Sequence, residues 1–483
     1  NGASNGICPM LKVFGSTMEY VDQGGGKRRG VAAVYMEPWH ADIQDFIRLR
    51  NPRTMDSHSL FNAIWVNDVF MERVRDDGEW SLFDPKSVPE LIPLHGPAFT
   101  AEYEFAERRG DASVTLKARA LYSEILTMQL RSGTPYLHAK HACNRSSNHA
   151  HLGTISNSNL CGEIMQYSDA HQTATCNLAS VNVAAYATKG AYDFEALRST
   201  VAFVVGELER VMDIMHYRSQ RSETSNNLHR PMGIGMQGLA DAFALFGAPY
   251  DSPDAMRLNA QIAENMYYAA LSASIDLAEA RGPHPSYDGS PLARGLLHFD
   301  HYDGCTTELD WGPLRARLAD HGARNSVLIA LMPTASTSRI LGNSECFTPY
   351  TRMLYVRRTL MGEYLVAPKH FLRAVHAEIG DDPAKWAALA DALAEHDGRA
   401  RRVDALPQHI KDLFPTTWDV KRKVALDMSI ARAPFVDQAE SMSIYVDLCD
   451  PAKRTRVHVP NRPISIMTEG IYRSYGKKRP LKC

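Results

Sequence analysis

An α/β fold is what this sequence predicts, and three features carry the prediction. Apolar runs of buried-strand length recur, among them Val31-Ala32-Ala33-Val34-Tyr35-Met36 and Val327-Leu328-Ile329-Ala330-Leu331-Met332. Longer stretches between them place apolar residues at helical spacing, as in 117–130, where Ala120, Leu121, Ile125, Leu126 and Met128 follow a helical repeat. Turn formers punctuate the pattern, and Gly133-Thr134-Pro135 stops that helix. The same spacing predicts helices near 193–216, 236–246, 255–281 and 385–396. Strands alternating with helices build either an α/β barrel or a doubly wound sheet, and periodicity leaves both open.

The chain has 483 residues, enough for a large core, with 45% hydrophobic and 22% charged residues. Those proportions exclude a disordered, collagenous or disulfide-packed miniature protein. Lys plus Arg (53) nearly balances Asp plus Glu (55), so no global field draws nucleic acid or anionic lipid. No apolar run reaches membrane-helix length and the first residues lack a secretory pattern, which gives the cytoplasm as the expected location. The 8 cysteines show no CxxC spacing, against both a disulfide framework and a zinc ribbon. The chain starts at Asn1 rather than Met, and the expectation is a piece of a longer polypeptide.

Two segments stand apart in charge. Asp22-Gln23-Gly24-Gly25-Gly26-Lys27-Arg28-Arg29-Gly30 reads as a glycine loop with three cations hung on the strand at 31–36. Residues 451–483 carry nine Lys or Arg against one acidic residue, Glu469, and form either a contact surface or a solvated terminus. The expected division is therefore a main domain over 1–450 and a basic divergent tail over 451–483.

The chemistry concentrates in Asn159-Leu160-Cys161-Gly162-Glu163, with Cys176 following in Thr175-Cys176-Asn177-Leu178-Ala179-Ser180. On an extended backbone Asn159, Cys161 and Glu163 would share one face. An amide can hold a hydroxyl, a thiol can act as nucleophile or one-electron carrier, and a carboxylate can take a proton. A polar loop around a structural cysteine has the same spacing. Zinc is a rival through His149, His151, Cys161, His171 and Cys176, but neither cysteine has a partner at ligand spacing. A cysteine hydrolase would need one of the 19 histidines nearby, and spacing does not identify it.

Gly233-Ile234-Gly235-Met236-Gln237-Gly238 matches GxGxxG, yet it follows a polar, proline-ended stretch instead of an apolar strand. It reads as a tight strand-to-helix packing turn into a helix at 239–246, not as a dinucleotide site. Pro333-Thr334-Ala335-Ser336-Thr337, directly after the apolar run at 327–332, is more telling. Small hydroxyl residues where a strand empties into a helix offer N–H and O–H groups to phosphate, and an ordinary helix cap uses the same residues.

These strings resemble the large, catalytic subunit of class I ribonucleotide reductase over residues 1 to about 450. The resemblance rests on Asn159-Leu160-Cys161-x-Glu163, Cys176-Asn177-Leu178-Ala179-Ser180, Arg230-Pro231-x-Gly233-Ile234-Gly235-x-Gln237-Gly238-Leu239-Ala240-Asp241-Ala242 and Met332-Pro333-Thr334-Ala335-Ser336-Thr337, in that order. Tyr20-Val21-Asp22-Gln23-Gly24-Gly25-x-Lys27-Arg28 and Glu37-Pro38-Trp39-His40 also look like the family.

The resemblance implies a ten-stranded α/β barrel, here incomplete at its amino-terminal side, with a central finger loop carrying Cys161. It implies reduction of ribonucleoside diphosphates to 2′-deoxyribonucleoside diphosphates by thiyl-radical chemistry. Cys161 would carry the thiyl radical, Glu163 would be the base on the 3′ hydroxyl, Asn159 would bind substrate, and Cys176 would supply reducing equivalents with a second cysteine. Pro333, Thr334, Ala335, Ser336 and Thr337 would hold the diphosphate. Tyr20 would fall at the specificity site for ATP or dNTP effectors at a dimer interface, and Asp22, Gln23 and Arg28 on the allosteric loop that transmits effector identity to the substrate pocket.

The resemblance further implies no metal or cofactor on this chain, a metal-containing small subunit that supplies the radical, a homodimer of large subunits, and thioredoxin or glutaredoxin as reductant. No membrane or nucleic-acid partner is expected. Tyr472 matches the first of the family's paired radical-transfer tyrosines, with Arg473 in the second place and Tyr475 close by. The family's other redox cysteine would lie upstream of Asn1, Cys8 standing in a different motif, and of the family's tail cysteine pair the sequence offers only Cys483. The alternative function is a non-catalytic homologue that binds nucleotides or partners on the same scaffold.

Overall fold

A computed structural model describes residues 5–23, 28–51, 59–359 and 362–445. The described residues fall into two units. One comprises those up to Asn144, with Thr154–Gly162 and those from Met442; the other comprises Arg145–Gly153 and Glu163–Ser441.

In the first unit the run at 31–36 forms the strand Ala32–Met36, at one side of a three-stranded parallel sheet. Its neighbour Leu60–Val66 is central, pairing Ala33 with Phe61 on one side and Ile64 with Leu137 of strand Tyr136–Ala139 on the other. That central strand is buried at nearly every position, as a parallel strand covered on both faces must be. Helices Asp68–Asp76, Gly96–Arg109 and Ala118–Ser132 accompany it. Gly133 in the left-handed conformation ends the last of these, as the sequence predicts. Phe46, Phe70, Trp80, Phe83, Phe99 and Ile125 are wholly or almost wholly buried in one core. Trp80 stacks on Tyr103 at 4.3 Å between ring centres.

The second unit is built on a parallel array. Strands Leu178–Asn182 and Gly233–Gln237 pair in register, Gly233 opposite Leu178 and Gln237 opposite Asn182. The run at 327–332 joins next, bridging Ile329 to Ile234, and Leu331 then bridges to Glu440. Helices Phe194–Ile214 and Pro253–Arg281 belong to this unit. The second begins with Ser252 accepting the Ala255 N–H at 3.1 Å and Pro253 in its first turn, and it stops at Gly282. Leu239–Phe246 and Pro383–Glu395 are the other two helices anticipated by spacing.

The strand-to-helix turn expected of the GxGxxG string is confined to Gly238, because Gly233–Gln237 is itself a fully buried strand. The reason is steric. A Cβ at Gly235 would strike Met332 Sδ and come within 3.0 Å of Ala330 O, so glycine lets the run at 327–332, which joins by isolated bridges and not as a full strand, approach closely. Gly238, at φ 83°, then turns the chain into helix Leu239–Phe246. Among the described residues the strands form open sheets and no closed ring. The residues at 446–483, including the basic tail with Tyr472, Arg473 and Tyr475, lie outside the described residues.

Candidate active site

The segment bearing Asn159 and Cys161 belongs to the first unit and is held by side chains from its parallel sheet. Trp65 Nε1 donates to Ser156 O at 2.6 Å, and Tyr35 Oη donates to Asn159 O at 2.7 Å. Further back, Asn144 Nδ2 donates to Ile155 O at 3.1 Å while its Oδ1 accepts the Ile155 N–H at 2.6 Å. The half-buried Cys161 packs with Tyr35 and Phe61 against Ala63 and Tyr136. The thiol thus sits among aromatic rings contributed by all three strands of the sheet.

The backbone here is not extended. Gly162 N–H donates to Asn159 O at 3.2 Å, closing a turn, and Gly162 has φ 79°. Strand alternation therefore does not set the directions of Asn159, Cys161 and Glu163; a glycine-permitted reversal does.

Glu163 and Cys176 lie in the second unit. Glu163 is 2% exposed, and its carbonyl accepts the Ala439 N–H at 3.0 Å. Burial pushes the Cys176 thiol up to about 12, and the nearby Glu163 carboxylate adds to the shift. At neutral pH Cys176 therefore keeps its proton, the opposite of what a thiolate nucleophile needs and the form from which a hydrogen atom can leave. Next to it, Asn177 Nδ2 donates to Asn226 Oδ1 at 2.7 Å and Pro231 O at 2.9 Å, while Asn177 O accepts the Gly233 N–H at 2.8 Å. Those bonds fix the chain just beyond the thiol.

In 333–337 the four residues after the half-buried Pro333 divide into two kinds. Thr334 is 3% exposed, and its Oγ1 accepts the Cys346 N–H at 2.7 Å. Its carbonyl accepts both Ser338 N–H (2.9 Å) and Ser338 Oγ–H (2.6 Å). Thr334 therefore holds the turn together. Ala335, Ser336 and Thr337 face solvent, with Thr337 Oγ1 at 3.3 Å from Ser180 Oγ. The helix that follows, Thr337–Leu341, is only 5 residues long, so the turn itself and its hydroxyl groups are what it offers an anion. Asp241, in the first turn of Leu239–Phe246, accepts the Ser344 N–H at 2.6 Å and the Tyr350 hydroxyl, which steadies the loop behind Thr334.

The glycine loop is a ribbon: Asp22 pairs with Arg29 and Gln23 with Arg28, antiparallel, and its tip lies outside the described residues. Tyr20, 89% exposed, ends helix Ile7–Tyr20, whose Met10, Val13 and Phe14 also face outward.

Of the histidines in the zinc alternative, His149 Nε2 lies 2.8 Å from Ser326 Oγ and His151 Nε2 lies 2.8 Å from Ser286 O. Among the described residues no group of three His, Cys, Asp or Glu is arranged to hold a metal ion. No helix among them is long and apolar enough to cross a membrane. Sequence reasoning missed Tyr35, Trp65 and Gln438 as supports of these segments. No short-range signal could have found them, because each acts across 91 or more residues.

The family model described as ribonucleotide reductase, barrel domain, matches residues 1–469. The chain is 44% identical to the ribonucleoside-diphosphate reductase large subunit of Arabidopsis thaliana, covering 95% of this chain and 59% of that protein. It is 42% identical to the large chain of Neurospora crassa (98% of this chain, 51% of that protein) and 42% identical to the large subunit of vaccinia virus (98% and 61%). It thus spans between half and two thirds of the length of these relatives. With its motifs, its parallel sheets and this match in agreement, the chain belongs to the ribonucleotide reductase barrel-domain family.

Proposed function

We propose that this chain is the catalytic barrel of a ribonucleoside-diphosphate reductase large subunit, reducing ribonucleoside diphosphates to their 2′-deoxy forms for DNA synthesis. The observation that carries the reading is the thiol set: Asn159, Cys161, Glu163 and Cys176 occur together in a family member, and Cys176 is held protonated beside a buried carboxylate. Protonated thiols suit hydrogen-atom chemistry and do not suit a cysteine hydrolase, which works through thiolate.

In this reading Cys161, as a thiyl radical, takes the 3′ hydrogen of the ribose. Glu163 takes the 3′ hydroxyl proton and Asn159 binds the substrate. The 2′ hydroxyl then leaves as water, Cys176 and a second cysteine supply two electrons and two protons, and their sulfurs join as a disulfide. At the end of the cycle Cys161 returns that hydrogen to the 3′ carbon, which completes the product and restores the thiyl radical. The aromatic packing around Cys161 supports its part by excluding water from a reactive sulfur. The exposed Ala335, Ser336 and Thr337 bind the diphosphate, and Thr334 holds their turn. The full fold is a ten-stranded barrel with Cys161 on its finger loop.

The radical arrives from a metal-containing small subunit by way of Tyr472, the large-subunit names of the relatives supporting such a partner. Two large subunits pair, and Tyr20, Asp22, Gln23 and Arg28 read ATP or dNTP effectors; the outward apolar residues of helix Ile7–Tyr20 support an interface there. Thioredoxin or glutaredoxin re-reduces the disulfide, and the protein works in the cytoplasm.

The test is conversion of radiolabelled cytidine diphosphate by the full chain with its small subunit, ATP and a dithiol. Deoxycytidine diphosphate is the expected product. Tight nucleotide binding and small-subunit association without product would overturn the enzymatic reading in favour of a non-catalytic homologue.

A further inference from the structure

Resting on the reading of Glu163 as the base, we infer that Gln438 is the residue that positions it. Gln438 is 8% exposed and lies in the segment bearing Asp437 and Glu440, alongside the run at 327–332. Its Oε1 accepts two hydrogen bonds from the Glu163 segment, from Met165 N–H at 3.3 Å and from Gln166 Nε2 at 3.1 Å. Its Nε2 donates to Met232 O at 2.7 Å, just before strand Gly233–Gln237. One amide thus ties the base-bearing segment to the sheet. The adjoining Ala439 N–H donates to Glu163 O at 3.0 Å, so the segment is gripped at Glu163, Met165 and Gln166 from a single stretch of chain.

That stretch is itself anchored. Gln438 N–H donates to Ile329 O at 3.2 Å, and the Asp437 carboxylate accepts the N–H groups of Leu328 (2.9 Å) and Ile329 (2.6 Å). Glu440 pairs with Arg432 at 2.6 Å. Gln438 therefore transmits the position of the sheet to the Glu163 segment. Glutamine is chemically specific here, since the site needs an acceptor with two lone pairs and a donor on the same planar group. Glutamate keeps the acceptor and loses the donor; methionine keeps the length and loses both. A general base must lie within hydrogen-bond reach of the proton it takes, and small misplacements are costly.

The test uses Gln438→Met and Gln438→Glu in the full chain, assayed with cytidine diphosphate, small subunit, ATP and dithiothreitol. Gln438→Met is expected to lower kcat about 100-fold with KM within about twofold, because diphosphate is held elsewhere. Gln438→Glu is expected to restore part of that kcat. In a Glu163→Gln background Gln438→Met should cost nothing further, because it acts through Glu163. Losses that multiply would overturn the proposal, whereas an unchanged kcat in Glu163→Gln alone would instead sink the base assignment.

A readout independent of turnover is amide exchange at Met165, which should speed up in Gln438→Met while helix Pro253–Arg281 keeps its protection. Unchanged exchange at Met165 would overturn the proposal. If the helix also loses protection, Gln438→Glu is the variant to read.

Discussion

Lowering the pH from 7.5 to 5 should destabilise the second unit through its buried histidines. His149 and His229 lie 4.9 Å apart between ring centres, and His229 and His284 both meet Ser286 Oγ, at 2.6 and 3.1 Å. Burial lowers all three. It brings His229 to about 4 and His284 to about 3, where neighbouring imidazoles add to the shift, and it holds His149 well below its usual range. His151 and Arg324 face the cluster and oppose protonation, while Asp169 favours it at His229.

The folded pKa values are depressed, so the unfolded chain binds protons first as pH falls through about 6.5, and stability declines from there down to the folded values. By linkage, His229 and His284 each forfeit about 2 kcal/mol between pH 7.5 and 5, near 1.4 kcal/mol per pH unit at the steepest. Gln172 Oε1 lies 2.6 Å from His229 Nε2, so the loosening reaches the chain that leads to Cys176. Urea unfolding across this pH range measures the slope, and His284→Gln should remove about one proton from it. Stability that stays level to pH 5, or a slope untouched by His284→Gln, would refute the reasoning.

Other expectations follow from single contacts. Thr334→Val removes the acceptor of the buried Cys346 N–H and should cost about 1–3 kcal/mol in a melt, whereas the exposed Thr337→Val should raise KM with the melt unchanged. Lys140, whose side chain is 0% exposed, pairs with Glu37 at 2.6 Å, and Lys140→Met should destabilise by about 3–5 kcal/mol in urea because it leaves that carboxylate uncompensated. Cys176→Ser should still allow the 3′ hydrogen to be attacked while normal deoxynucleotide product disappears; unchanged multiple turnover would remove Cys176 from the reductive step.

What could be read from the sequence was local. Helix Ala118–Ser132 and its stop at Gly133 follow from spacing and one glycine, and strand Ala32–Met36 from a short apolar run. The Asn159–Gly162 reversal escaped because spacing of two is shared by strands and by irregular loops, and only Gly162 hinted at a turn. Gly233–Gln237 misled in the other direction, since glycines that look like loop formers here admit Met332 against a strand. Division of labour within 333–337 was also invisible, because Thr334 and Thr337 differ only in which one the loop at Cys346 covers. Gln438, Tyr35 and Trp65 act over separations that no window spans. The family resemblance singled out the candidate residues by motif, and the structure shows what holds their segments.

The central claim is that Cys161 abstracts the ribose 3′ hydrogen. The most direct measurement compares the wild-type chain with Cys161→Ser, each completed with small subunit, ATP and a dithiol, on cytidine diphosphate tritiated at the 3′ carbon. Wild type should form deoxycytidine diphosphate and release a small fraction of the tritium to water. Cys161→Ser should bind the nucleotide as tightly, yet give neither product nor tritium release. Either signal persisting in Cys161→Ser would contradict the account.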